Sequence, residues 1–170
     1  MTDTFNTNNV NPHECRIEGF LEEDIREFVG PNADKYINIF RKISRGEKTY
    51  NWPCAICLTY WMAYRKMWKH AILWCVMLSI VGGIIQGFAI GIRLICQLVL
   101  LAYYFLHMGY QGNILYWNFV KEELTKEGLA DIPHDNYEIR EHLGKRGGTS
   151  LLFLIAFIVL STMISNLIAA

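Results

Sequence analysis

Residues 51–70 read NWPCAICLTYWMAYRKMWKH. A short apolar run, Pro53 to Tyr64, meets a basic cluster of Arg65, Lys66 and Lys69. Trp52, Tyr60, Trp61, Tyr64, Trp68 and Trp74 interleave with it. Amphipathic rings beside Lys and Arg are what a membrane–water interface selects. As a helix, the run from Pro53 to Tyr64 reaches only about 18 Å at 1.5 Å per residue. The hydrocarbon core of a bilayer needs about 30 Å, or roughly 20 residues. Residues 53–64 therefore read as a short interfacial or re-entrant amphipathic helix that does not cross. Trp52, Trp61, Arg65, Lys66, Trp68 and Lys69 are the expected contacts with the interface and with anionic lipid head groups.

Outward from this stretch the chain divides in two. Before it the sequence is polar, and after it mostly apolar. Of the 170 residues, 52% are hydrophobic and 19% charged, a shift toward membrane composition. The net charge is zero, which argues against nucleic acid as a partner, because phosphate binding needs a basic excess. No Asp or Glu occurs between Glu47 and Glu122, while Arg65, Lys66, Lys69 and Arg93 all fall in that interval. Such an acid-free block suits segments in or beside a bilayer.

Three runs are long enough to cross: residues 70–91, 93–117 and 150–168. Basic residues select the cytoplasmic side. With 53–64 not crossing, fifteen of the 16 Lys and Arg residues share one side and Arg93 alone lies opposite. The N-terminus is then cytoplasmic and the C-terminus outside. Residues 1–14 carry neither a basic start nor an apolar run, so insertion is expected to be directed by the internal helices.

The polar regions also read as helical. Residues 1–18, rich in Asn and Thr, are expected to be a disordered tail. A cytosolic helical module is expected over 19–50, with helices at 20–29 and about 32–45. Asn32 is the expected N-cap and Gly46 the stop. Tyr36, Ile39, Phe40 and Ile43 give the second helix an apolar stripe. A cytosolic helical loop is expected over 118–148. It includes a Glu122–Lys126 pair at i,i+4 and a short helix at about 134–143. The fold class is all-α: three transmembrane helices, one short interfacial helix, and this small cytosolic module.

FVGPNADKYINIF (28–40), YRKMW (64–68), GNILY (112–116) and GGTS (147–150) resemble the bacterial membrane-protein family catalogued as domain of unknown function 2628. The resemblance extends over about 25–168. It implies an integral protein of the bacterial cytoplasmic membrane, with no established activity and no catalytic residues to carry over.

Four groups of residues invite a functional reading. Ser79, Gly83, Gly87 and Gly91 form a small-residue stripe at four-residue spacing, which lets another backbone approach closely. Packing within the chain and homo-oligomerisation are both open. Gln97, Tyr104, His107 and Gln111 share one face of the third helix in chain order, counting the interfacial one. Gln86 could meet them from the neighbouring span. Polar groups in hydrocarbon must find partners, so this face could serve a small transporter or channel component. Cys54 and Cys57 form a C-x-x-C, which can support thiol–disulfide exchange in a membrane oxidoreductase. The βαβ context of that motif is absent, and Cys also packs as a small hydrophobe. Two further zinc ligands are missing nearby, and no metal, cofactor or catalytic residue is expected. The five cysteines, Cys15 and Cys96 included, do not form a disulfide framework. The favoured reading is a structural or interaction protein, not an enzyme. It would assemble through the glycine-lined face with itself or another membrane protein, with the lipid bilayer as its surroundings.

Overall fold

The computed structural model describes residues 15–129 and 137–169, with side chains described over 15–129 and 141–163. The chain begins with a small antiparallel hairpin, β1 (Arg16–Ile17) and β2 (Phe20–Leu21), in which Ile17 pairs with Phe20. Eight helices follow: α1 (Glu22–Val29), α2 (Ala33–Ser44), α3 (Trp52–Cys57), α4 (Thr59–Tyr64), α5 (Trp68–Gln86), α6 (Ile90–Lys126), α7 (Tyr137–Arg146) and α8 (Leu151–Ala169). Three stretches, Trp68–Gln86, Ile90–Lys126 and Glu141–Met163, are long and apolar enough to cross a membrane. The protein is an all-α membrane protein to which one two-residue strand pair is added.

The hairpin corrects the expected tail. Residues 1–14 lie outside the described residues, but 15–18 are structured. The two turn residues, Glu18 and Gly19, both have positive φ, the backbone of the tight turn that matches strand twist. Glu18 is held there by Lys121 at 2.7 Å and by the Trp117 indole N–H at 3.2 Å. Phe20 and Leu21 therefore join a strand, and α1 starts at Glu22, later than expected. Its first turn carries Glu22, Glu23 and Asp24, where acidic groups favour the helix dipole. In α2, Asn32 is the N-cap residue as expected, though its side chain makes no capping bond. Gly46, at positive φ, does terminate that helix.

The 37 residues of α6 extend about 55 Å. That exceeds the roughly 30 Å of hydrocarbon, so one end must project. The tertiary core is built around this end. Tyr116, Trp117, Val120 and Leu124 are fully buried there. Phe40 of α2 stacks on Trp117 at 4.5 Å, Tyr36 meets Tyr116 at 4.9 Å, and Phe28 of α1 meets Phe119. Arg41 bonds Glu22, fastening α2 to α1. Two short amphipathic helices with no core of their own are thus completed by the projecting helix.

The interfacial helix differs most from expectation. It is two helices, broken at Leu58, whose φ is 45°. A left-handed backbone at a bulky residue is strained. It is kept because each half docks separately, α3 on α6 and α4 between α5 and α8. The pair lies level with residues 105–116 of α6: Asn51 N–H bonds Gly109 O at 2.7 Å, and Trp61 meets Tyr116 at 5.8 Å. Trp61 and Arg65 are consequently buried, at 6% and 4% exposure. Neither contacts lipid as expected, because both face the core around α6.

The spans themselves pack loosely. In α6 only 6% of the apolar window is buried. The first span ends at Gln86, and Gly87 caps it. The break at 87–89 comes earlier than the sequence suggests, placing Gly91 on the next helix. Helix α7 runs through Gly144 to Arg146, past the expected end.

Candidate functional site

The sequence expected close helix approach at Gly83, Gly87 and Gly91, and the structure puts it elsewhere. Among the described residues, a Cβ at Gly83 or Gly91 would meet nothing within 4 Å. With Gly91 beyond the helix break, the stripe is not continuous. A Cβ at Gly109 would instead fall 2.2 Å from the Tyr50 ring, and one at Gly112 would fall 2.7 Å from Cys54 Cβ and Sγ. These two glycines let residues 50–54 lie directly on α6.

A buried polar staple holds that contact. Asn51 Nδ2 donates to Asn113 Oδ1 at 2.8 Å, and Asn113 Nδ2 donates to Thr49 Oγ1 at 3.1 Å. Asn51 Oδ1 accepts the Cys54 N–H at 3.0 Å, capping α3. Tyr50 O–H donates to Phe105 O at 3.1 Å. Each buried amide has partners, as a low-dielectric interior demands. The sequence reading missed these residues. The available signal was Asn51 ahead of Pro53, the pattern of an N-cap followed by Pro in the first turn.

The expected polar face does not converge. Gln86 accepts from Arg93 at 3.1 Å, so the two spans are tied beside the turn that joins them and Gln86 does not meet His107. His107 stacks on Tyr103 at 5.3 Å. Tyr104 is buried against Trp74 at 6.0 Å. Gln97 is exposed, and Gln111 lines a separate hollow beside Gly46–Thr49.

Cys54 and Cys57 are both free thiols. Cys54 is completely buried. Burial, with Cys57 adding to it, pushes its pKa up to about 12. A reactive thiol needs the opposite shift, since the thiolate is the nucleophile. Alkylation of the folded protein by iodoacetamide at pH 8, mapped by mass spectrometry, is expected to modify Cys57 at least 10-fold faster than Cys54. Equal rates would refute the buried placement of Cys54. Among the described residues, no three His, Cys, Asp or Glu side chains are grouped to hold a metal.

The basic cluster forms a site where the polar ends of the three spans meet. Lys66, Lys69 and His70 of the α4–α5 corner face Glu122, Glu123 and Lys126 of α6 across a cleft of about 300 Å³. Lys145 and Arg146 close it, with Trp68, Phe119 and Phe153 as apolar wall. Lys126 is engaged by Glu122 and Glu123, and Lys145 by Glu141. Arg146 is engaged by Glu123 and Glu127. Lys66 and Lys69 form no ion pair among the described residues. Lys66 sits at positive φ. Its ammonium donates to Lys145 O at 2.9 Å and lies over the Phe153 ring. Desolvation lowers its pKa from the ordinary lysine value.

GGTS acquires a physical meaning. A Cβ at Gly147 would lie 2.0 Å from Phe28 O. The Gly148 N–H donates to that same oxygen at 2.6 Å, and the Ser150 N–H donates to Tyr64 O at 3.0 Å. The start of α8 is therefore fastened to the ends of α1 and α4.

No curated protein and no solved structure matches the chain. The profile of a family described as "Protein of unknown function (DUF2628)" matches residues 22–121, more than half of the chain. The matched region holds α1 to α5 and most of α6, that is, the helical module, the broken interfacial pair and two spans. The chain belongs to this family of proteins of unknown function, DUF2628.

Proposed function

We propose that the protein is a non-enzymatic, multi-pass membrane protein that assembles through its spans. In this reading it holds a helical interaction module at the cytoplasmic face of the bacterial cytoplasmic membrane. The carrying observation is a contrast in packing. The module around the projecting end of α6 is closed, with Phe28, Phe40 and Trp117 at or below 1% exposure. The spans are open, and a Cβ at Gly83 or Gly91 would meet nothing within 4 Å among the described residues. Small residues facing outward in hydrocarbon suit approach by a second helix, from another copy or another membrane protein.

Orientation follows from charge. Lys66, Lys69, Lys126, Lys145 and Arg146 gather at one end of the spans, and Arg93 sits at the other, which favours the module inside. A transport path would require polar side chains along one continuous line. Gln86, His107 and Gln111 instead have separate surroundings.

Gly83→Leu is the test, because the position is open and the monomer should fold unchanged. Cross-linking in native membranes, with light scattering in mild detergent, should show an oligomer for the wild type. The leucine variant should show at least a five-fold loss of that species, while His107→Ala keeps it. A wild type that is monomeric in both measurements would sink the assembly reading.

A further inference from the structure

The basic cleft does not end at its apolar wall. On α5, Lys69, Ile72, Val76 and Ile80 recur at spacings of three and four, so they share a face. On α8, Phe153, Phe157 and Leu160 do the same. Lys69 and Phe153 line the cleft. Ile72, Val76, Phe157 and Leu160 line an apolar groove of about 260 Å³ between the two helices. Trp68 bridges the two spaces, touching Phe153 at 5.3 Å and Phe157 at 6.2 Å. The cleft and the groove thus follow one another along the α5–α8 seam, the first cationic and the second apolar, with Trp68 at their junction.

We propose that this seam is the seat of an anionic phospholipid, its phosphate in the cleft against Lys66 and Lys69 and one acyl chain along the groove. Length supports the assignment. From Lys69 to Ile80 the helix rises about 16 Å, close to one leaflet of a 30 Å hydrocarbon core. Charge supports it independently. Lys126, Lys145 and Arg146 are paired with carboxylates, whereas Lys66 and Lys69 form no ion pair among the described residues, Lys69 acting on Glu122 only across the cleft. The groove offers almost no polar surface, so a free phosphate would gain from the mouth alone. The groove reaches Ser79 and Ile80, one turn before Gly83 on the same face of α5, so the two readings are told apart by readout: quenching at Trp68, at the far end of the groove, tests the seat, and cross-linking tests assembly.

The full-length protein is titrated in detergent with phosphatidylglycerol brominated on its acyl chains. Quenching of Trp68 fluorescence is read as the difference between wild type and Trp68→Phe. Brominated phosphatidylcholine and unbrominated glycerol 3-phosphate are the comparison arms. Phosphatidylglycerol should quench Trp68 at a mole fraction at least five-fold below phosphatidylcholine. Glycerol 3-phosphate should not displace it at equal concentration. Lys69→Gln, an exposed position that carries no packing, should weaken the effect about five-fold. Each Lys near an anionic lipid contributes roughly 1 kcal/mol, and 1.4 kcal/mol is tenfold. Val76→Trp, which fills the groove and leaves both lysines, should abolish the quenching preference. Equal quenching by the two lipids would overturn the proposal. So would an unaffected Lys69→Gln, or competition by glycerol 3-phosphate as strong as by the lipid, which would mark a free-anion site only.

Discussion

Gly147→Ala is expected to unfasten α8 from the rest of the protein and lower its melting temperature by roughly 6–12 °C. The added methyl would sit 2.0 Å from Phe28 O, 2.7 Å from Phe28 C and 2.9 Å from Phe28 Cα. All three are backbone atoms at the end of α1, so no side-chain rotation relieves the clash. Residues 147–150 or the end of α1 must shift, and the Gly148–Phe28 and Ser150–Tyr64 hydrogen bonds stretch with them. Overpacking of this kind costs about 1–3 kcal/mol. At the upper end of that range, with 2–4 °C per kcal/mol for a chain of this length, the shift follows. Gly83→Ala is the control. It adds the same methyl where nothing among the described residues lies within 4 Å, so it should be neutral or stabilise by up to about 1 kcal/mol. Thermal unfolding of both variants in one detergent decides the matter. Equal melting temperatures would mean that Gly147 does not make the close approach described.

The contrast between these glycines shows what the sequence carries and what it hides. Apolar runs of sufficient length announce the three spans, because hydrocarbon thickness sets a minimum that few other structures meet. The stops at Gly30 and Gly46 were equally legible, since both need positive φ. Regular spacing drew attention to Gly83, Gly87 and Gly91, yet spacing says only that residues share a face. It does not say that another element lies opposite. Gly109 and Gly112 meet residues 50–54, a partner distant in sequence, and their spacing of three breaks the expected pattern. The fracture at Leu58 was hidden for a related reason. Nothing in ICLTY marks a left-handed residue, and only the separate docking of α3 and α4 imposes it. Basic residues near a membrane were read as one exposed set. The structure divides that set, leaving Lys69 outside and drawing Arg65 in.

Arg65→Glu is expected to destabilise the protein by about 4 kcal/mol or more. Arg65 is 4% exposed, and its guanidinium lies 4.4 Å from the Tyr36 ring centroid and 5.0 Å from that of Tyr116. It donates to Tyr116 O–H at 3.4 Å, a long bond. Its Nε has no hydrogen-bond partner among the described residues. Two ring faces present negative charge to it, an attraction of about 2 kcal/mol each when desolvated. A glutamate there would be a buried anion facing the same two negative faces, and an uncompensated buried charge typically costs 3–5 kcal/mol. Arg65→Ala should cost about 3 kcal/mol through the cavity between α2, α4 and α6. Arg65→Met separates charge from volume. It loses the cation–ring attraction but is released from burying a cation, and replacing buried ions by apolar groups of similar size is often neutral. The methionine variant should therefore fall within about 1 kcal/mol of wild type. Denaturant titration in detergent would rank the three. The order Glu, Ala, Met, from most to least damaged, identifies Arg65 as a filler of the gap between Tyr36 and Tyr116 whose sign is constrained by the rings. A methionine variant as unstable as the glutamate would instead assign the stability to the cation itself.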